Sequence, residues 1–168
     1  MKYILKNKIM SLGGASTVRD ESGKDLFFVK GRVFTFTKKK FIRDLNKNVL
    51  YSVRNKFFHL LLPKVFLCDA SGQKILMIKK EKLFSLRQNF EVVQLKEGQP
   101  KMSVSGDIIG RHFDIFADGV PVAHVRKNFN LVKDSFWIDT DKTEMAPLII
   151  AFVIAIDNYF DKLMDQER

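Results

Sequence analysis

The chain has 168 residues, 46% of them hydrophobic and 29% charged, and its 29 Lys and Arg against 19 Asp and Glu give a formal net charge of +10. Such a length suits one domain, residues 1–168, that takes roughly two thirds of its unfolded surface out of water, and it excludes a small scaffold dependent on staples. The single cysteine, Cys68, excludes an intrachain disulfide; without metal-ligand spacing around it, it reads as a small buried hydrophobe in a reducing compartment.

In chain order, the opening stretch MKYILKNKIMSLGG breaks its apolar residues with lysines and lacks the continuous apolar run of about 7 to 15 residues that a secretory signal needs. A cytoplasmic protein is expected. YILKNKIMSL reads as a first strand region. Gly13 and Gly14 in SLGGAS, with no Lys-Ser/Thr ending and no helix signal after them, read as a strand-terminating turn rather than a phosphate loop.

A faint repeat follows. Asp20 opens DESGKDLFFVKGRVF, Asp44 opens DLNKNVLYSVRNKFF, Asp69 opens DASGQKILMIKKEKLF and Asp118 opens DGVPVAHVRKNF, with a degenerate unit around LKEGQPKMSVSGDII. In each, a turn leads into an apolar run and then basic residues. Asp-x-x-Gly and Asp-Gly are turn chemistry, because Gly adopts positive φ freely and Asp bonds its own backbone. Val, Ile and Phe dominate the runs, and alternation is cleanest over Met102, Val104, Gly106 and Ile108 and over Phe113, Ile115 and Ala117. Each unit of about 24 residues therefore fits two strands and two turns, half a four-stranded propeller blade. Ten to twelve short antiparallel strands over residues 1–140 are expected, and so many evenly spaced strands close into a barrel or fold into a sandwich. The barrel is favoured.

The tail, EMAPLIIAFVIAIDNYFDKL, holds twelve residues from Met145 to Ile156 without a polar side chain. As a helix, placed at residues 143–162, that run spans roughly 18 Å, short of the ~30 Å hydrocarbon core of a bilayer. No transmembrane segment is expected. Pro147 suits a first turn, and Thr143 or Asp141 can cap it. A helix apolar on every face is surrounded by protein, and a barrel of about twelve strands has room for one. The tail should plug the barrel.

FVKGR after the first Gly turn, the recurrent apolar-basic units, VSGDIIGRHFDIF, VPVAHVRKNFNLVKDSF and the closing PLIIAFVIAIDNYFD together resemble the LURP-one-related (LOR) family, in the superfamily of Tubby C-terminal-like domains and phospholipid scramblases. The resemblance covers essentially the whole chain. It implies a mainly β fold, a closed antiparallel barrel of about twelve strands around a central hydrophobic C-terminal helix. The family has no established catalytic residues, so the resemblance implies no enzyme and no cofactor.

Other chemistry is thin. His59, His112 and His124 stand apart without metal-ligand spacing and read as surface or half-buried strand residues, so no metal site is expected. Most of the sixteen phenylalanines read as core rather than as base-stacking platforms. From Lys24 to Lys64 eleven Lys or Arg face two acids, whereas from Asp134 onward eight acids face Lys142, Lys162 and Arg168. Lys38, Lys39, Lys40 and Arg43, between Phe36 and Phe41, are the candidate anion-binding residues, on a loop or strand end; the competing reading is a solvated turn. Four cations at ~1 kcal/mol each near an anionic membrane give only millimolar affinity.

The leading functional expectation is a monomeric, non-enzymatic module for anionic ligands such as phospholipid headgroups at a membrane surface. A membrane-tethered or nucleic-acid-associated transcription modulator is the alternative, disfavoured because no recognition helix is readable. Scramblase-like lipid handling is weaker still, since fold-level analogy does not establish function. A protein partner is the remaining option.

Overall fold

The computed structural model describes residues 1–6, 15–31, 39–56, 63–80, 90–108, 112–128 and 135–166. Within them twelve strands precede one long helix: β1 (Lys2–Lys6), β2 (Ala15–Arg19), β3 (Asp25–Gly31), β4 (Lys40–Arg43), β5 (Val49–Asn55), β6 (Lys64–Cys68), β7 (Lys74–Lys80), β8 (Phe90–Gln94), β9 (Met102–Asp107), β10 (His112–Ala117), β11 (Val120–Asn128), β12 (Ser135–Asp139) and α1 (Ala146–Gln166). The strands form one antiparallel sheet in the order β8-β7-β6-β5-β4-β3-β2-β1-β12-β11-β10-β9. The first and last strands of the chain pair along their full length, from Lys2↔Asp139 to Lys6↔Ser135. The result is a nearly closed, Tubby-like barrel whose seam lies between β8 and β9, the two ends of the sheet.

Because sequential strands run up and down, every even-to-odd connection falls at one end of the barrel and every odd-to-even connection at the other. We call these the turn end and the loop end. The sequence repeat maps onto the five turn-end hairpins, β2-β3, β4-β5, β6-β7, β8-β9 and β10-β11: each unit opens at the hairpin's turn and runs into its second strand. At the turn end Asp20, Asp44 and Asp69 each bond the backbone of the turn they open, while Asp118 Oδ1 accepts from Lys101 N–H at 2.8 Å. Asp69 Oδ1 accepts from the N–H groups of Ser71 and Gln73, both at 3.0 Å; Asp44 Oδ1 accepts from Asn48 N–H at 2.8 Å; Asp20 Oδ1 accepts from Lys24 N–H at 3.0 Å. The fourth turn position takes positive φ, +86° at both Gly23 and Gly72, and Lys47 occupies the same place at +69°. The Asp44 turn lacks the Gly, and the Asp alone keeps the geometry.

Strand alternation builds the core. Val18, Val29, Ile42, Val53, Val65 and Ile78 line successive strands and are fully buried. Cys68 is buried as expected. Around α1, every described side chain from Leu148 to Phe160 is buried, so the helix is enclosed on all sides. Its chief neighbours are β5, β6 and β7.

Two details differ from expectation. Eleven of the twelve apolar residues, 146–156, form the first half of a 21-residue helix, and Met145 ends the 3-10 turn before it. By length and composition Thr143–Phe160 could cross a membrane, yet 78% of that window is buried inside the protein. Burial rather than length sets its role. Neither Thr143 nor Asp141 caps α1; the chain enters through a 3-10 turn, Thr143–Met145, with no side-chain cap at Lys142. Thr140 organises the approach instead, its hydroxyl donating to the Val122 carbonyl at 2.6 Å and accepting from Lys142 N–H at 2.9 Å. Pro147 does occupy the first turn of α1, where its missing N–H costs no intrahelical bond.

Candidate functional site

The hairpin repeat sorts charge along the barrel axis. Each unit begins with its Asp at the turn end and reaches its basic residues at the close of the following strand, at the loop end. Lys30 closes β3, Arg54 and Lys56 close β5, Lys79 and Lys80 close β7, and Arg126 and Lys127 close β11, while Lys39 and Lys40 open β4 and Lys64 opens β6. Opposing them at the described loop-end strand termini are Glu91 and Asp107. Glu91 is engaged by Lys79 at 3.1 Å. The turn end is mixed: Asp20, Asp44, Asp69, Glu97 and Asp118 stand among Lys24, Lys47, Lys74, Lys96 and Lys101. There Lys96 meets Asp69 at 2.9 Å, and Lys2 pairs with Glu21. The Ser71 hydrogen bond, with Lys96 beside it, holds the Asp69 carboxyl down at about 2. Among the described strand residues charge therefore divides by barrel end, while the last turns of α1 bring Asp157, Asp161 and Asp165 towards the loop end.

The four candidate anion-binding residues separate on this scaffold. Lys38 lies outside the described residues, as do Phe36, His59, Gly13 and Gly14. Lys39 stands at the loop end with its ammonium 4.7 Å from the centre of the Phe41 ring. Arg43 closes β4 at the turn end, donates to the Lys47 carbonyl at 3.1 Å and stacks its guanidinium 5.6 Å from the same ring. Lys40, between them in sequence, is 7% exposed and faces inward with Ile42. One strand thus presents Lys39, Phe41 and Arg43 on the outer face and sends Lys40 into the barrel. Phe66, beneath Lys74 at 4.2 Å, repeats the outward aromatic with a cation over it. Among the described phenylalanines Phe113, Phe136, Phe152 and Phe160 are fully buried; the core reading therefore holds for the interior and not for this outer set. His112 and His124 are exposed, His124 pairing with Asp114 at 2.7 Å.

Behind the basic rim the barrel interior turns polar. Ser16, Lys40, Asn55 and Lys127 are buried, inward-facing residues near the loop-end termini of β2, β4, β5 and β11. α1 runs from the turn end through this level and on to Gln166; here Tyr159 and Phe160 pack on Phe90 at the start of β8, with ring centres 5.6 and 5.9 Å apart. Asp157 and Asn158 of the same helical turn are also buried. Both polar atoms of the Asn55 side chain, the Asn158 amide nitrogen and the Tyr159 hydroxyl are buried without a hydrogen-bond partner. Burial holds the Tyr159 hydroxyl protonated, its pKa pushed up to about 12. A buried polar group left unpaired costs about 1–3 kcal/mol, so several at one level of a barrel call for a reason. No group of three or more His, Cys, Asp or Glu able to hold a metal occurs among the described residues.

The profile of the LURP-one-related family matches residues 1–157. The chain belongs to this family. Among curated proteins none matches. Among solved structures, this LURP-one-related chain is similar to a protein from Arabidopsis thaliana known by X-ray crystallography, with TM-score 0.53 and 15% identity over 93% of this chain and 91% of that one. At that identity the likeness shows the fold alone. The LURP-one-related barrel and its buried C-terminal helix match the resemblance read from the sequence.

Two features of this LURP-one-related chain escaped the sequence reading. The basic rim is scattered over residues 30–127 and becomes a rim only through the topology; its signal was the basic pair about ten residues after each Asp, which strand length carries to the opposite end. The interior polar level was signalled by Lys40, Asn55 and Lys127 falling at inward positions of the strand alternation.

Proposed function

We propose that this LURP-one-related domain is a non-enzymatic module that docks its loop end on an anionic surface, with phospholipid headgroups as the ligand class and a peripheral, cytoplasmic-side membrane location. The carrying observation is the concentration of Lys and Arg on one rim while the other rim is near balance. Lys38 and Lys39 join Lys30, Lys56, Lys64 and Lys80 in this reading; Lys40 stands behind them, and Arg43 continues the Lys39-Phe41 stripe down the barrel wall. At ~1 kcal/mol per cation, six raise the electrostatic contribution to roughly 6 kcal/mol, or tens of micromolar, where four gave millimolar. The sequence of the segments joining the strands at that end adds support. Residues 57–62 read FFHLLL and residues 32–38 read RVFTFTK, the mixture of large apolar and basic residues that favours a membrane interface. Enclosure of α1 argues against a nucleic-acid mode led by a recognition helix.

The test is cosedimentation with phosphatidylcholine vesicles with and without phosphatidylserine, at ~50 mM and at ~150 mM salt, the latter with a Debye length near 8 Å. Binding that needs the anionic lipid, weakens with salt and falls in a Lys38→Ser, Lys39→Ser variant supports the reading. Equal recovery with neutral and anionic vesicles contradicts it. If duplex DNA competes fully, with a log–log salt slope that flattens in the variant, the partner is nucleic acid instead.

A further inference from the structure

The polar level inside the loop-end mouth has its own geometry. Asn55 and Lys40 belong to adjacent strands β5 and β4, Ser16 to β2 beyond β3, and Lys127 to β11, beyond β1 and β12 round the barrel wall. The remaining arc carries Phe90 on β8, against which Tyr159 and Phe160 pack. At roughly 100° per helical residue, Asn158 points about 150° away from the mean direction of those two aromatics. It is therefore aimed across the mouth, away from Phe90. Asn55 is 1% exposed and Asn158 3%, and neither side-chain amide nitrogen has a partner.

We propose that this mouth is a binding site for a small phosphate monoester. The unpaired groups are three donors, the amides of Asn55 and Asn158 and the Tyr159 hydroxyl, and one amide acceptor, Asn55 Oδ1. A phosphate monoester offers several anionic acceptors and, through the free hydroxyls of its alcohol portion, a donor. Lys80, on the inward face with Ile78 and in register with Phe90, adds to the buried charged groups of the level, Lys40 and Lys127 against Asp157, so the balance favours an anion over a neutral polar molecule. Lys40, Lys127 and Asp157 have interactions of their own, but an ammonium carries three donors, and an existing partner leaves capacity for another. The site is distinct from the outward lysines of the docking rim, Lys30, Lys56 and Lys64. Loss of vesicle binding would leave it standing.

Thermal unfolding of the full chain, with added glycerol 3-phosphate or inorganic phosphate against chloride at matched ionic strength, is the first arm. Vesicles doped with phosphatidylinositol phosphate are the second, and they separate a headgroup source from a free metabolite. The midpoint should rise with the phosphate compound in at least one arm. Asn55→Leu should leave the ligand-free midpoint equal or higher, because it removes an orphaned amide, and should weaken the phosphate compound at least tenfold. Should that variant fail to fold, Lys127→Met keeps the aliphatic stem and removes the charge, with the same weakening expected. A wild-type midpoint indifferent to phosphate in both arms, or an undiminished rise in the variant that folds, overturns the proposal. The unpaired amides would then hold water only.

Discussion

The two ends of the barrel are made from the same five hairpins and differ in how their polar groups are settled. At the turn end Asp20, Asp44 and Asp69 are satisfied by the turns they close, Asp118 accepts from Lys101 N–H of the neighbouring connection, and neighbouring charges pair. At the loop end cations gather and buried amides stand without partners. Local satisfaction marks a scaffold, whereas unsettled charge and polarity at one rim mark the end that meets something else.

The sharpest way to break the comparison is to remove the scaffold common to both ends. Phe152 is fully buried on α1, and Phe152→Asp places an unpaired charge in the barrel at a cost of several kcal/mol, comparable with the whole stability of a domain. Circular dichroism should show an unfolded or insoluble chain. A folded variant with an unchanged midpoint would mean that α1 is peripheral.

Gly106 tests whether the loop end has structural demands of its own. Its φ is +121°, and a Cβ there would lie 2.8 Å from the His112 carbonyl oxygen and 3.0 Å from Phe113 Cα, both backbone atoms. Gly106→Ala should destabilise by about 1–3 kcal/mol, the usual cost of a strained backbone position. Chemical denaturation checks it; an unchanged midpoint would show that β9 and β10 separate without cost.

At the turn end, Asp69 sets a pH signature. Its folded pKa, about 2 against the usual 3.8, is depressed, so its stabilisation is present above the unfolded value and is lost as pH falls through the folded one. Wild type should therefore lose stability between about pH 4 and pH 2. Asp69→Asn should be less stable at neutral pH and show a shallower decline over the same window. Parallel declines would remove Asp69 from the account.

How much of this was legible follows from which interactions are local. The Asp turns, the alternation at Phe113, Ile115 and Ala117 and the apolar run of α1 are set by neighbours in sequence, and the barrel with its helix follows from them. The separation of Lys39 from Lys40 needed the inward register of Ile42, and that of Arg43 needed the direction of β4. Asn55 and Asn158 lie 103 positions apart in the sequence, so only the ladder and the helix length bring them to one level. Pairings that depend on barrel height are invisible until the topology is known.

The central claim, that the loop end is the docking end, is tested most directly by reversing equal charge at each rim. Lys30→Glu with Lys56→Glu at the loop end and Lys24→Glu with Lys101→Glu at the turn end alter four exposed lysines in two pairs and change net charge identically. Binding to phosphatidylserine vesicles at ~50 mM salt should collapse for the loop-end pair and stay within about twofold of wild type for the turn-end pair. Equal losses in the two variants would contradict the account, leaving only the total charge of the protein as the cause of binding.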